Sequence, residues 1–148
     1  QRNAEKRAAG WRCMIQKVLQ PEGWPRPSGY ANGIAASGKM VFVSGMIGWD
    51  QHQHLVSDDF VMQARQALLN IVAVLESDSA LPSHVVRLTW YVTDKAEYLA
   101  QRKALGQAYR EIFGMHFPAM TAVQVAALME DGAKVEIEAT AVIPLCNV

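Results

Sequence analysis

Two carboxylates alternate with apolar residues near the end of the chain, where Glu136 lies between Val135 and Ile137 and Glu138 follows. A partly buried carboxylate can aim a water molecule at an electrophilic carbon and carry the proton that a leaving group needs. Hydrolysis of a carbon–nitrogen double bond requires both steps. The same alternation also describes the solvent side of a half-buried strand. The residues alone leave both interpretations of Glu136 open, whereas we assign Glu138 to the solvent side.

The other polar side chains give weaker chemical signals. His52 and His54 lie two residues apart near Asp50, but two imidazoles without a third nearby ligand rarely hold a metal. Ser44 and Cys146 have no histidine base at a suggestive spacing, which argues against a covalent mechanism. We therefore predict no metal site and no cofactor.

The composition disfavours nucleic acid and membrane as partners. The 148 residues include 14 lysines plus arginines and 14 aspartates plus glutamates, so the formal net charge is zero. No basic stripe is interleaved with aromatic residues. No apolar run approaches the roughly 20 residues of a membrane span. Cys13 and Cys146 could form a disulfide, but two thiols in a chain of this size are typical of a reduced, cytoplasmic protein.

Strand and helix signals continue without a composition shift over residues 14–148, which predicts a single domain; residues 1–13 are interpreted as a terminal extension or tag. The predicted strands are residues 15–19, 33–36, 39–44, 85–92, 119–128 and 134–143, and the predicted helices are residues 60–76 and 95–113.

Local signals refine this pattern. Ser37-Gly38 predicts a two-residue turn that makes a hairpin of the second and third strands. The third strand is mostly apolar on both faces, so both should be covered. Ser57 is a candidate N-cap, followed by two aspartates in the first turn of the helix at residues 60–76. The order β-β-β-α-β-α-β-β indicates an α+β fold with one mixed sheet and two helices on one face, whose other face would be covered by oligomerisation.

Five short motifs occur in a fixed order. The first contains Ser-Gly-Met-Ile, the second contains Gln-Ala-Arg-Gln-Ala-Leu-Leu-Asn, and the third is Tyr-Val-Thr-Asp. The fourth is Phe-Pro-Ala, and the fifth is Val-Glu-Ile-Glu-Ala. They lie at residues 41–48, 63–71, 91–94, 117–119 and 135–139. Together they resemble the RidA/YjgF family of enamine and imine deaminases, also called endoribonuclease L-PSP. The resemblance implies a chorismate-mutase-like α+β fold and a homotrimer that binds a small-molecule substrate in clefts at the subunit interfaces.

The resemblance also assigns residues to the site. The glutamate associated with the hydrolytic water falls on Glu136, and a pocket tyrosine falls on Tyr30. The family arginine that grips the substrate α-carboxylate falls on Met120, and a position that is often cysteine falls on Ala122. A thioether cannot reproduce the two parallel hydrogen bonds of a guanidinium. The chain thus resembles an arginine-lacking branch of the family, for which we expect poor use of 2-iminopropionate-like acids.

Three functions remain open at this point. We favour a pocket refitted for an apolar or aromatic enamine or imine, for instance in the breakdown of an aromatic or heterocyclic compound. Trp49 and Trp90 could line such a pocket beside Met120, or they could serve core or subunit packing. The first alternative is a non-catalytic, ligand-binding or chaperone-like trimer. The weaker alternative is an RNA-cleaving translation inhibitor, which this neutral chain does not favour.

Overall fold

The computed structural model describes residues 16–145, so the expectations for residues 1–13, Cys13 and Cys146 lie outside the described residues. Within that range the elements follow the predicted order closely. They are β1 (Gln16–Leu19), β2 (Gly33–Ala36), β3 (Lys39–Met46), α1 (Phe60–Glu76), a 3-10 turn (Pro82–His84), β4 (Val85–Val92), α2 (Lys95–Ala100), α3 (Arg102–Phe113), β5 (Ala119–Gln124) and β6 (Val135–Ile143).

Helix α1 has the predicted bounds, but its cap differs. Asp59, not Ser57, is the N-cap, and its carboxylate accepts the Met62 N–H at 2.9 Å, so the first turn contains no acidic residue. The predicted apolar stripe is buried against the sheet, with Val72 half-buried. Gln63 lies on the same buried side and was not part of the predicted stripe.

The helix predicted over residues 95–113 is two helices. Helix α2 ends and α3 begins at Gln101, whose φ of −105° and ψ of 14° leave the helical region. The Gln101 N–H donates to the Glu97 carbonyl, and the Gln101 carbonyl accepts the Leu105 N–H. Both backbone hydrogen bonds are therefore kept across the bend. No proline or glycine marks this bend, which is why the sequence pattern did not reveal it.

The main sheet has the strand order β3-β6-β4-β5, with β4 and β5 parallel and the other pairs antiparallel. The predicted β2–β3 hairpin is wrong. Strand β2 pairs with β1 in a separate two-stranded sheet, while β3 pairs with β6. Gly38 does not form a hairpin turn; it allows the backbone before β3 to lie close to the end of β6. A Cβ there would lie 2.1 Å from the Ile143 carbonyl oxygen, at a φ of +150° that favours glycine.

One face of the main sheet is covered by α1 and α3, and the other is open in the single chain. Val43, Leu88 and Ile137 are buried on the covered face. Met40 and Phe42 point the opposite way, and Phe42 is 71% exposed, so β3 is not covered on both sides within one chain. The chorismate-mutase-like α+β class is confirmed, with β1 and β2 outside the mixed sheet. Among residues 16–145, no helix is both long and apolar enough to cross a bilayer.

Candidate functional site

A cavity of about 800 Å³ lies between the edge of the main sheet at β5 and helices α2 and α3. It brings together three of the predicted site residues, Tyr30, Trp90 and Met120. Its wall is otherwise built from the loop before Tyr30, from aromatic side chains and from cationic residues of α3. These other lining residues are Pro27, Ser28, Gly29, Tyr98, Arg102, Lys103, Leu105, Gly106, Tyr109, Arg110, Met115 and Phe117.

A backbone contact holds Tyr30 at this cavity. The next residue, Ala31, forms an isolated parallel bridge with Ala119, and its N–H donates to the Pro118 carbonyl at 3.0 Å. Gly29 adopts a φ of +81°, which turns the proline-rich loop toward β5. Tyr30 therefore lies beside the first residues of β5, with its side chain 44% exposed.

The parallel pairing of β4 and β5 puts Met120 on the covered face of the sheet. Leu88 is opposite Met120 and Trp90 is opposite Ala122, so all four side chains share one face. Met120 packs against the core and Trp90 is 3% exposed. The indole N–H of Trp90 is buried without a hydrogen-bond partner among residues 16–145, whereas most buried polar groups have one. Ala122 is exposed and lines none of the described cavities.

Glu136 lies on the other face of the sheet. It pairs with Tyr91, the neighbour of Trp90, and successive strand residues point to opposite faces. Glu136 therefore shares the open face with Tyr91, while Trp90 and Met120 line the cavity on the covered face. A single chain does not bring the predicted water-positioning carboxylate and the predicted substrate contacts together.

A bulge in β3 makes room for the Glu136 carboxyl group. Val43 pairs with Ala139 and Met46 with Ile137, so two residues of β3 oppose one residue of β6. Gly45 is one of the two. A Cβ on Gly45 would lie 2.1 Å from Oε1 of Glu136, so the carboxyl group packs directly over this glycine. The Ser-Gly motif of the sequence is thus the bulge beside the predicted carboxylate.

The neighbouring Glu138 is not simply a solvated side chain. Its Oε1 accepts the hydroxyl of Tyr91 at 2.8 Å. This hydrogen bond, with smaller contributions from burial and from the Glu138 and Glu136 charges, raises the pKa of the Tyr91 phenol. Tyr91 consequently stays a hydrogen-bond donor in the neutral range and holds one of the two carboxylates of the open face.

Trp49 and the histidine-containing loop lie outside the cavity. Trp49 is half-buried, and its carbonyl accepts the Asn70 amide at 2.9 Å. The Asp50 carboxylate accepts the N–H groups of His52 and His54 at 2.8 and 3.1 Å, and these bonds lower the Asp50 pKa. Both histidines are exposed, and the described residues hold no group of three or more potential metal-binding side chains. The Asp50 carboxylate therefore holds the backbone of the loop at His52 and His54.

The sequence interpretation missed the cationic side of the cavity. Arg102, Lys103 and Arg110 all line it, and all belong to α3. The signal was present in the sequence, since Arg102, Gly106 and Arg110 recur at a spacing of four and therefore share one helix face. The five motifs that define the predicted site do not include this helix face.

Comparison with known proteins places this geometry among relatives. Residues 25–143 match the family described as Endoribonuclease L-PSP. Protein DfrA of Myxococcus xanthus is 36% identical over 138 residues, covering 88% of this chain and 98% of that protein. A 2-iminobutanoate/2-iminopropanoate deaminase of Salmonella typhimurium is 34% identical over 132 residues, covering 86% and 98%. Among solved structures, the Rid family protein YyfB from Yersinia pestis has a TM-score of 0.78 at 30% identity, covering 88% of this chain and all of that one.

Proposed function

Because the chain belongs to the RidA/YjgF family, described as Endoribonuclease L-PSP, we propose that it is an enamine or imine hydrolase whose substrate lacks the usual α-carboxylate. The observation that carries this proposal is the cavity shared by Tyr30, Trp90 and Met120. Its β5 wall offers a thioether where the family resemblance places an arginine. An apolar or aromatic part of a substrate can pack against Met120, whereas a carboxylate placed against this wall would gain no hydrogen-bond partner from the thioether.

The proposed reaction adds water to the carbon of a C=N bond. Glu136 would accept a proton from the attacking water and pass it to the imine nitrogen, which gives a carbinolamine. It would then carry the carbinolamine hydroxyl proton to the same nitrogen, which leaves as ammonia as the carbonyl forms. An enamine would first take a proton at carbon to give the imine. Tyr30 would close the cavity over the substrate, and Met120 would contact its apolar part.

The separation of Glu136 from the cavity gives the assembly a role in this proposal. The two lie on opposite faces of one sheet, so we infer that the Glu136 of one subunit meets the Tyr30 and Met120 cavity of a neighbour in a homotrimer. The exposed apolar side chains of the open face, Phe42 and Met40, support such an assembly because water-exposed groups of this kind favour burial between subunits. Light scattering at micromolar concentration should give a trimer; a monomer would contradict this assembly.

Ammonia release is the direct test of the proposed activity. A panel of imines generated in situ by an added amine oxidase, from aliphatic and aromatic amines that lack a carboxylate, should include at least one that the protein hydrolyses faster than buffer. The Glu136→Gln variant should lower that rate at least a hundredfold, since a general acid–base group contributes about that much. The matched control is Glu130→Gln, which changes an exposed carboxylate in the β5–β6 connection and should keep the parental rate.

The separation of Glu136 and Met120 within a chain also favours one alternative, a trimer that binds a ligand without catalysis. This alternative predicts no hydrolysis of any imine in the panel. It further predicts that Glu136→Gln binds each ligand as the parent does. Both results together would replace the hydrolase proposal with the binding one.

A further inference from the structure

We propose that the cavity selects an aromatic anion: a flat apolar molecule that carries one carboxylate or phosphate away from its reacting carbon, held by Arg102 and Arg110. The proposal rests on the proposed function only in treating this molecule as the substrate. It differs from the family resemblance in the origin of the positive charge, which comes from helix α3 and not from β5.

The cavity is positively charged although the chain as a whole is neutral. Its wall contains Arg102, Lys103 and Arg110 and no acidic residue. With 14 cationic and 14 acidic residues in the sequence, this excess is local and belongs to the cavity. A concave site lined by one sign of charge concentrates ligands of the opposite sign.

The carboxylates nearest in sequence are bound to other cations. Glu111, the acidic residue of α3, forms an ion pair with Arg65 of α1. Glu97 of α2 forms an ion pair with Lys134 at 3.2 Å. Within residues 16–145 the three ion pairs leave out the two cavity arginines. Their guanidinium groups are therefore available to an external anion.

Arg102, Gly106 and Arg110 form a row along one face of α3. Residues spaced by four share a helix face, and the two arginines are separated by about 12 Å along the axis. A Cβ on Gly106 would lie 3.2 Å from Nη1 of Arg110, so this guanidinium reaches back over the glycine. Glycine inside a helix costs about 0.5–1 kcal/mol relative to alanine. Here the missing side chain makes room for the Arg110 guanidinium, which lies over Gly106 and so is displaced along the helix toward Arg102.

The remaining wall is suited to a ring and not to a bare inorganic anion. Tyr109 stacks on Phe117 with ring centroids 5.5 Å apart and planes at 16°. Tyr30, Trp90 and Tyr98 complete the aromatic lining. Aromatic surface of this kind gains most from burying a flat apolar group, while the arginines hold an acidic substituent by charge-assisted hydrogen bonds.

Binding of small probes, measured by calorimetry on the full-length protein, tests this proposal without turnover. The probes are 2-naphthoate, 2-naphthyl phosphate and the neutral 2-naphthamide. At least one anion should bind tenfold or more tightly than the amide, and the preferred anion identifies the acidic group. The double variant Arg102→Gln/Arg110→Gln should lose that preference. The control Lys17→Gln removes an exposed lysine that lines none of the described cavities and should keep it.

The outcomes separate this proposal from the proposed function. Equal binding of amide and anions, or an equal loss in Lys17→Gln, overturns the aromatic-anion proposal even if neutral imines are hydrolysed. Selective anion binding with no ammonia release from any imine overturns the hydrolase and leaves the selectivity intact. Circular dichroism of the double variant establishes that a loss of preference does not reflect unfolding.

Discussion

The carboxyl group of Glu136 packs over the bare Cα of Gly45, in the bulge of β3. A Cβ at Gly45 would approach Oε1, Cδ and Cγ of Glu136 to 2.1, 2.8 and 3.0 Å. Contacts that short do not occur, so any side chain at Gly45 must displace the carboxylate or the bulge. The relationship ties the motif Ser-Gly of one strand to the carboxylate of the next.

Gly45→Ala should therefore destabilise the protein by about 1–3 kcal/mol, as overpacking does. In a Glu136→Ala background the same change should cost much less, because the clashing atoms are gone. Urea titrations of the parent, the two single variants and the double variant, all at the same protein concentration, measure this coupling. Equal costs in both backgrounds would contradict the packing of Glu136 on Gly45.

The buried amide of Gln63 connects α1 to the connection before β6. Its Nε2 donates to the carbonyls of Ser57 and Gly132 at 2.8 and 3.0 Å, and its Oε1 accepts the Lys134 N–H at 2.8 Å. Gln63→Leu would remove the partner of all three backbone groups. We expect a loss of about 3 kcal/mol in the free energy of unfolding, since each buried group left unpaired costs 1–3 kcal/mol.

Gln107→Leu is the matched control for Gln63→Leu. Gln107 is exposed on α3 and makes one long hydrogen bond, 3.5 Å, to Glu111. Its change should alter stability by no more than about 0.5 kcal/mol. Similar losses in the two variants would mean that the three bonds of the buried amide are not responsible.

His84 should make stability fall in mild acid. Its Nδ1 accepts the Leu81 N–H at 3.0 Å across the 3-10 turn, which requires the neutral ring. Burial, and secondarily the His116 charge, lower the pKa of His84 below 6.5. The unfolded state thus binds more protons, so stability is full above pH 6.5 and declines as pH falls toward the folded-state value.

The acid-linked loss at His84 should be on the order of a few tenths of a kcal/mol, because solvent screens most of this ring. In His84→Asn, the Oδ1 atom can accept the Leu81 N–H without titrating, so the stability difference between pH 7.5 and pH 5 should shrink. His52→Asn, in an exposed loop, should leave it unchanged. A slope that survives His84→Asn would assign the effect to another group.

Sequence patterns predicted the elements better than their partners. The bounds of α1 followed from its apolar stripe, because that signal is local, although the cap is Asp59 and not the predicted Ser57. The pairing of β2 with β1 depends on contacts that no local pattern encodes. The same holds for the site. The alternation around Glu136 predicted that β6 has an apolar face and a polar face. Which of these faces lies on the same side of the sheet as Met120 depends on the register of β4 with β5 and with β6.

Met120→Arg should restore use of an α-carboxylate if the rest of the proposed site is intact. The new guanidinium would stand on the β5 wall beside Trp90 and Tyr30. We expect measurable ammonia release from 2-iminopropionate at a rate at least tenfold above the parent. Met120→Leu is the control, since it keeps an apolar side chain of similar volume and should remain inactive on this acid. No gain in a correctly folded Met120→Arg would show that more than the carboxylate contact differs.

The opposite placement of Glu136 and the cavity predicts complementation between inactive subunits. Tyr30→Ala should impair the cavity and Glu136→Gln the acid–base step, so each homotrimer should be at least tenfold less active than the parent. In a mixed trimer, a Glu136 from the first variant can meet an intact cavity of the second. Random mixing in equal amounts would give both intact partners at about a quarter of the interfaces. Mixed trimers isolated through two different tags should recover activity well above either parent variant. If they stay as inactive as the homotrimers, one chain must supply the whole site, and the inter-subunit arrangement proposed for Glu136 is wrong.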